Sequence, residues 1–224
     1  METETTPCAR ATEELRRYLE KLNWSALTPG RRRILDAFIE LASVEGYAAV
    51  SMRSLGKKVN MKAPSIYSHF PGGRDEVLAE AFRWHFSQFA GAVLKAVEGA
   101  KSAADFWNAM VRVHLTRQLQ SPEYDAWDIL RALDRLNPFL EPETRSELDE
   151  WVALYERMFA AAAHELGHEH GEGEKLARVV VKILDSANSW CGWDGQEDHL
   201  DVCVGEAVRI TRALITVDLR APRT

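Results

Sequence analysis

Three side chains late in the chain stand at a spacing that can hold a catalytic metal. His164, Glu165 and His168 read H-E-x-x-H, the pattern in which one helical turn offers two imidazoles to a zinc ion and a carboxylate to its bound water. Gly171 extends the match toward a longer zinc-protease form, but Glu174 stands where the third histidine belongs. At about 100° per residue the two imidazoles fall roughly 145–175° from the apolar stripe of Trp151, Tyr155 and Ala162, so they are expected to face water. A metal-dependent hydrolase using His164, Glu165 and His168 is the alternative reading, and His164, His168 and His170 are candidate donors for an adventitious or regulatory metal. The main reading expects neither a catalytic metal nor a cofactor. No P-loop, dinucleotide fingerprint or nucleophile elbow is present, so an enzyme is not expected.

A different chemistry is written into residues 51–70, SMRSLGKKVNMKAPSIYSHF. Ser51 is a good N-cap, and Met52, Leu55 and Val59 give one short helix a single apolar face. Asn60 and Met61 interrupt it, and Pro64 fits only the first turn of a second helix over about 63–69. That helix turns Ile66 and Phe70 inward. Lys62, Ala63, Pro64, Ser65, Tyr67, Ser68 and His69 remain on or near the outside, more donors and rings than solubility requires. Two short helices joined by a tight turn, the second lined with donors, form a helix-turn-helix suited to a DNA major groove.

The segment from Arg31 to Leu78 also resembles the DNA-binding region of the tetracycline-repressor (TetR-type) transcriptional regulators. The likeness rests on Val44-Glu45-Gly46-Tyr47, Val50-Ser51-Met52-Arg53-Ser54-Leu55-Gly56, Ser65-Ile66-Tyr67-Ser68-His69-Phe70 and Asp75-Glu76-Val77-Leu78. The resemblance implies that Tyr67 and His69 hold DNA phosphates, and that a homodimer binds a palindromic operator, most simply as a repressor released by a small-molecule inducer. By reach and chemistry, Ser51 and Arg53 stand at a helix N-terminus that can receive a phosphate. Lys62 can donate to guanine, Ala63 and Pro64 can press on a thymine methyl, and Ser65 and Ser68 lie close by.

These residues need a scaffold, and 224 residues are enough to bury a substantial core. The periodicity is helical almost throughout, which predicts an all-α protein: a three-helix helix-turn-helix head joined to a larger helical body. The expected divisions are a partly helical N-terminal extension at 1–27, the DNA-binding head at 28–74, and a ligand-binding and dimerising body at 75–218. Net charge is −6, but residues 28–76 carry eight basic side chains (Arg31, Arg32, Arg33, Arg53, Lys57, Lys58, Lys62 and Arg74) against five acidic ones. The head is thus cationic within an acidic chain, as phosphate attraction requires. No stretch approaches a membrane span or a secretory leader. Cys8, Cys191 and Cys203 lack metal spacing, and the expectation is reduced thiols in the cytoplasm.

Within the body, a helix from Asp75 to about Gly99 reads as a mechanical connector, followed by helices over about 103–120, 143–168, 174–191 and 198–218 and a short one ending near Asn137. Phe86, Phe89, Trp107, Met110, Trp127, Trp151 and Tyr155 fall on inward faces and can line an apolar cavity, with His114 and Arg117 as polar contacts. The resemblance places an inducer pocket here, and this lining implies a hydrophobic or aromatic ligand. It also implies that the last two helices pair with their copies, which puts Val180, Ile183, Leu184, Ala187, Val204, Val208 and Thr211 at a dimer interface.

Overall fold

The computed structural model describes residues 5–22, 24, 27–136 and 138–216. The outer limits expected at residues 1 and 218, and the stop at Asn137, lie outside them. Among the described residues there are ten α-helices and no strand. They are α1 (Pro7–Lys21), α2 (Pro29–Glu45), α3 (Met52–Val59), α4 (Ala63–His69), α5 (Arg74–Val97), α6 (Ala103–Gln120), α7 (Pro122–Leu136), α8 (Pro142–Glu165), α9 (His170–Asp185) and α10 (Glu197–Ile215). None of the described helices is long and apolar enough to cross a membrane.

Packing groups the described residues into two compact units, one within 19–89 and 121–150, the other within 5–18, 90–120 and 151–216. In the first, Ile34, Leu35, Phe38, Leu55, Ile66, Phe70, Val77 and Phe82 form a closed core. α2 packs on α3, on α4 and along α7. Two local devices hold the ends of these helices. Tyr47, just beyond α2, stacks on Phe139 at 4.4 Å between centroids, and Arg74 lies over the same Tyr47 ring, 3.9 Å from its centroid, donating to the Tyr47 carbonyl at 2.6 Å. Asp134 accepts from the Phe139 and Leu140 N–H groups and from Arg145, so it ties the loop after α7 to the start of α8. Its carboxyl is held down to about 2, chiefly by the Arg145 guanidinium.

In the second unit α6 packs on α9 and α10. Trp107 of α6 is fully buried, donates to the Thr211 hydroxyl at 3.1 Å and meets Phe159 edge-on. α9 starts at His170 and ends at Asp185, earlier at both ends than the expected 174–191. Gly171 and Gly173 lie inside its first turn rather than ahead of it, and a Cβ on Gly173 would stand 3.2 Å from the Ala160 carbonyl of α8. Close helix approach, not chain breaking, explains that glycine. α1 begins at Pro7, and Glu165 accepts from the Cys8 N–H at 2.8 Å, which caps that helix start.

Candidate nucleic-acid interface

The turn between α3 and α4 is built from the backbone up. Ser51 caps α3: its hydroxyl accepts from the Ser54 N–H at 3.1 Å, while the Ser54 hydroxyl accepts from the Ser51 N–H at 2.8 Å. At the other end Asn60 takes the left-handed conformation (φ 54°), and the Met61 N–H reaches back to the Gly56 carbonyl at 2.8 Å. Gly56 makes this closure fit, since a Cβ there would stand 2.7 Å from the Met61 carbonyl oxygen. The chain therefore reverses in three residues, and α4 leaves with Pro64 in its first turn, where the missing N–H costs nothing.

Ile66 and Phe70 are fully buried and anchor α4. Lys62, Pro64, Ser65, Tyr67 and Ser68 are exposed, and Ala63 and His69 are half-buried. Lys62 stands exposed at the N-cap position of α4. Ser68 donates its hydroxyl to the Ser65 carbonyl at 2.7 Å, so its oxygen is presented as an acceptor. Tyr67 is 48% exposed and leans on Gly73, whose backbone (φ 75°) opens the turn to α5; a Cβ there would meet the ring at 3.4 Å. The His69 imidazole lies over Gly30 in the first turn of α2, where a Cβ would stand 3.2 Å from Nε2. Ser51 and Arg53 are exposed at the start of α3.

The cations of the head are not equivalent. Lys58 is paired with Glu40, and Arg74 is spent on Tyr47. Arg32 sits 3.8 Å from Asp36 and over the Trp84 ring. Arg33, Arg53, Lys57 and Lys62 are exposed, and Arg31 lies over Phe70, 4.6 Å from the ring centroid. Counting charges along the sequence could not separate these groups. The contact between Gly30 and His69 had one trace in the sequence, a residue without a side chain directly after Thr28-Pro29, and periodicity alone does not pair it with His69.

The nine residues expected to line one cavity are divided. Phe86, Phe89 and Trp127 belong to the unit of the head, where Trp127 packs edge-on against Phe82 and stacks with His85. Trp107, Met110, His114, Arg117, Trp151 and Tyr155 belong to the other. There His114 is buried between the Tyr155 hydroxyl at 3.0 Å from Nδ1 and Asp185 at 3.3 Å from Nε2. Burial alone would raise the Asp185 carboxyl, but His114 and Lys182 outweigh it and hold the group low. Burial pushes the Tyr155 hydroxyl well above its ordinary range. Trp151 donates to the Tyr18 hydroxyl of α1 at 2.8 Å.

Of the residues read as a dimer interface, Val180, Leu184, Ala187, Val204 and Thr211 are buried within the chain's own core, and Ile183 and Val208 are half-buried. The large apolar side chains that α9 and α10 turn outward are Val179 and Val202.

The H-E-x-x-H residues are structural fasteners. α8 ends at Glu165, and Gly167 (φ 104°) turns the chain before His168, so the two histidines do not share one helix. His168 does not face open water as expected: it is half-buried and its Nε2–H donates to the Ile215 carbonyl at the end of α10, at 2.6 Å. His164 is exposed and donates from Nδ1 to the His168 carbonyl at 3.0 Å. Glu165 is engaged with Cys8, whose thiol burial and that carboxylate push up to about 12. No group of three or more His, Cys, Asp or Glu able to hold a metal occurs among the described residues. The His170 side chain lies outside them.

Residues 34–81 match the family model for bacterial regulatory proteins of the tetR family. The chain is 27% identical over 161 residues to the HTH-type transcriptional repressor KstR of Mycobacterium tuberculosis, covering 71% of this chain and 70% of that one. It is 26% identical over 178 residues to KstR of Rhodococcus jostii, covering 76% and 77%. A tetR-family regulatory protein from Rhodococcus RHA1 shares the fold with a TM-score of 0.66 at 16% identity, over 82% of this chain and 97% of that one. A regulator from Saccharomonospora viridis, solved in complex with choline, does so with a TM-score of 0.65 at 17% identity, over 82% and 95%.

Proposed function

We propose that this chain, a TetR-type transcriptional regulator and not an enzyme, is a repressor that binds a palindromic DNA operator as a homodimer in the cytoplasm and is released by a hydrophobic or aromatic small molecule. The observation that carries the reading is α4: two fully buried anchors, Ile66 and Phe70, hold a helix whose other residues present Lys62, Pro64, Ser65, Tyr67 and Ser68 to solvent. Tyr67 and His69 would position the duplex through phosphates, while Lys62, Ala63, Pro64 and Ser68 meet base edges. Ser51 and Arg53 would add backbone contacts at the start of α3.

α5 supplies the link that release requires, since its residues to Phe89 belong to the unit of the head and those from Ala90 to the other. The proposed ligand meets Trp107, Met110 and Trp151, with Tyr155, His114 and Asp185 as the polar end of the site. It releases DNA only by binding the released form better than the bound one; a hundredfold preference corresponds to about 2.7 kcal/mol. Two heads on one operator require the chain to pair with itself, and Val179, Ile183, Val202 and Val208 are the side chains of α9 and α10 available for it.

Selection of bound fragments from a random DNA pool tests the reading, followed by a screen of apolar molecules for release of the selected duplex. Tyr67→Ala is expected to weaken binding to every sequence alike, and Lys62→Ala to change sequence preference. Absence of salt-sensitive DNA binding, or the reverse pattern in the two variants, would overturn it.

A further inference from the structure

We infer that Arg31, at the start of α2, is a further DNA-backbone contact, held in place by Phe70 at the end of α4; this rests on the DNA-binding reading above. Its guanidinium carbon lies 4.6 Å from the centroid of the Phe70 ring. Phe70 is fully buried and therefore does not move with solvent, so the cation stands on a fixed platform. A ring face fixes an arginine without neutralising it: the positive charge remains whole and its N–H edges remain free to donate.

Its neighbours differ on this point. Arg32 stands 3.8 Å from the Asp36 carboxylate, and Lys58 is paired with Glu40. No carboxylate among the described residues pairs with Arg31. Directly before Phe70 in sequence stands His69, whose ring lies over Gly30, the residue before Arg31. Arg31 and His69 are thus brought to the same junction of α2 with α4, and Tyr67 stands two residues before His69 on the same short helix. A half-buried guanidinium with no carboxylate partner, beside groups suited to phosphate, fits the phosphodiester of a duplex flanking the base-reading residues.

The test is the salt dependence of binding to a fluorescein-labelled mixed-sequence DNA duplex, read by anisotropy from about 50 to 200 mM KCl. Arg31→Met keeps an unbranched apolar chain beside the Phe70 ring and removes the charge together with the guanidinium N–H donors. The plot of log affinity against log salt is expected to flatten by about 0.9 per head, twice that for a dimer, with operator and unrelated DNA losing affinity in equal proportion. Arg31→Lys keeps the charge and is expected to hold the slope. An unchanged slope in a folded Arg31→Met protein would overturn the inference while leaving the DNA reading standing. Should Arg31→Met fail to fold, Arg31→Gln, which also removes the charge and keeps a polar side chain, takes its place: a flattened slope supports the contact and an unchanged slope overturns it. Wild-type protein without any salt-sensitive DNA binding would instead sink the DNA reading together with the inference.

Discussion

The Trp84 indole N–H donates to Asp36 Oδ1 at 2.8 Å, which joins α5 to the outer face of α2. The same ring lies under Arg32 at 5.2 Å and takes Trp24 edge-on at 5.2 Å. Trp84→Phe keeps an aromatic face for Arg32 and removes the hydrogen bond to a charged acceptor. At a partly exposed site that bond is worth about 1 kcal/mol, so the unfolding midpoint should fall by about 3 °C. Thermal denaturation followed by circular dichroism checks it. An unchanged midpoint would mean that water replaces the bond at no cost.

Gly56→Ala should damage the head more than its chemistry suggests. Alanine is the better helix former by about 1 kcal/mol, which alone predicts a more stable α3. The added Cβ would stand 2.7 Å from the Met61 carbonyl oxygen, however, and that atom is backbone inside the turn. Overpacking against a fixed atom costs about 1–3 kcal/mol, so the clash should win and shift α4. Lower stability together with weakened DNA binding is the expected outcome, read by urea titration and by anisotropy on the selected duplex. A variant more stable than wild type would show that the turn can yield.

How far the residues alone reveal this molecule follows from the range of each interaction. The helix-turn-helix was legible because Ser51, Asn60, Pro64 and the buried pair Ile66 and Phe70 act within a few residues of one another. The α2 start at Thr28-Pro29 was legible for the same reason. Partner choice was not. Trp127 carries an inward aromatic ring in any reading of α7, but periodicity does not say that α7 lies along α2, where that ring meets Phe82. Val180 and Leu184 gave the α9 stripe that a dimer would use, yet the stripe is filled by the chain's own core. A pattern of apolar positions states that a face is covered, not by what.

Asp134 should make stability sensitive to acid. Its carboxyl is lowered from 3.8 to about 2 in the folded protein, chiefly by Arg145 and further by the Leu140 and Phe139 N–H groups, against the opposing effect of burial. A carboxyl depressed on folding stabilises above its unfolded value and loses that contribution as pH falls through the folded one. The affected window is therefore about pH 4 down to about 2, and the contribution is on the order of 1–2 kcal/mol. Asp134→Asn should lower stability at neutral pH and flatten the dependence across that window. Denaturant midpoints at several acid pH values decide it; parallel slopes for variant and wild type would show that other carboxylates carry the effect.

Glu165 and His168 should answer to helix ends and not to metal. Glu165 caps α1 through the Cys8 N–H, while His168 closes α10 through the Ile215 carbonyl. A carboxylate at a helix start is worth about 0.5–2 kcal/mol, so Glu165→Ala should destabilise by that amount, and Glu165→Gln, which keeps an acceptor and loses the charge, by less. His168→Ala removes a different bond at a different helix end and should destabilise on its own account. Zinc would require the two imidazoles on one helical face, whereas the Gly167 turn separates them and His168 Nε2 already donates to a carbonyl. A chelator should thus leave the unfolding midpoint unchanged, and added zinc should not raise it. Stoichiometric zinc in the purified protein, with a midpoint that falls on chelation and a Glu165→Gln variant that binds it equally well, would restore the metal reading against the fastener.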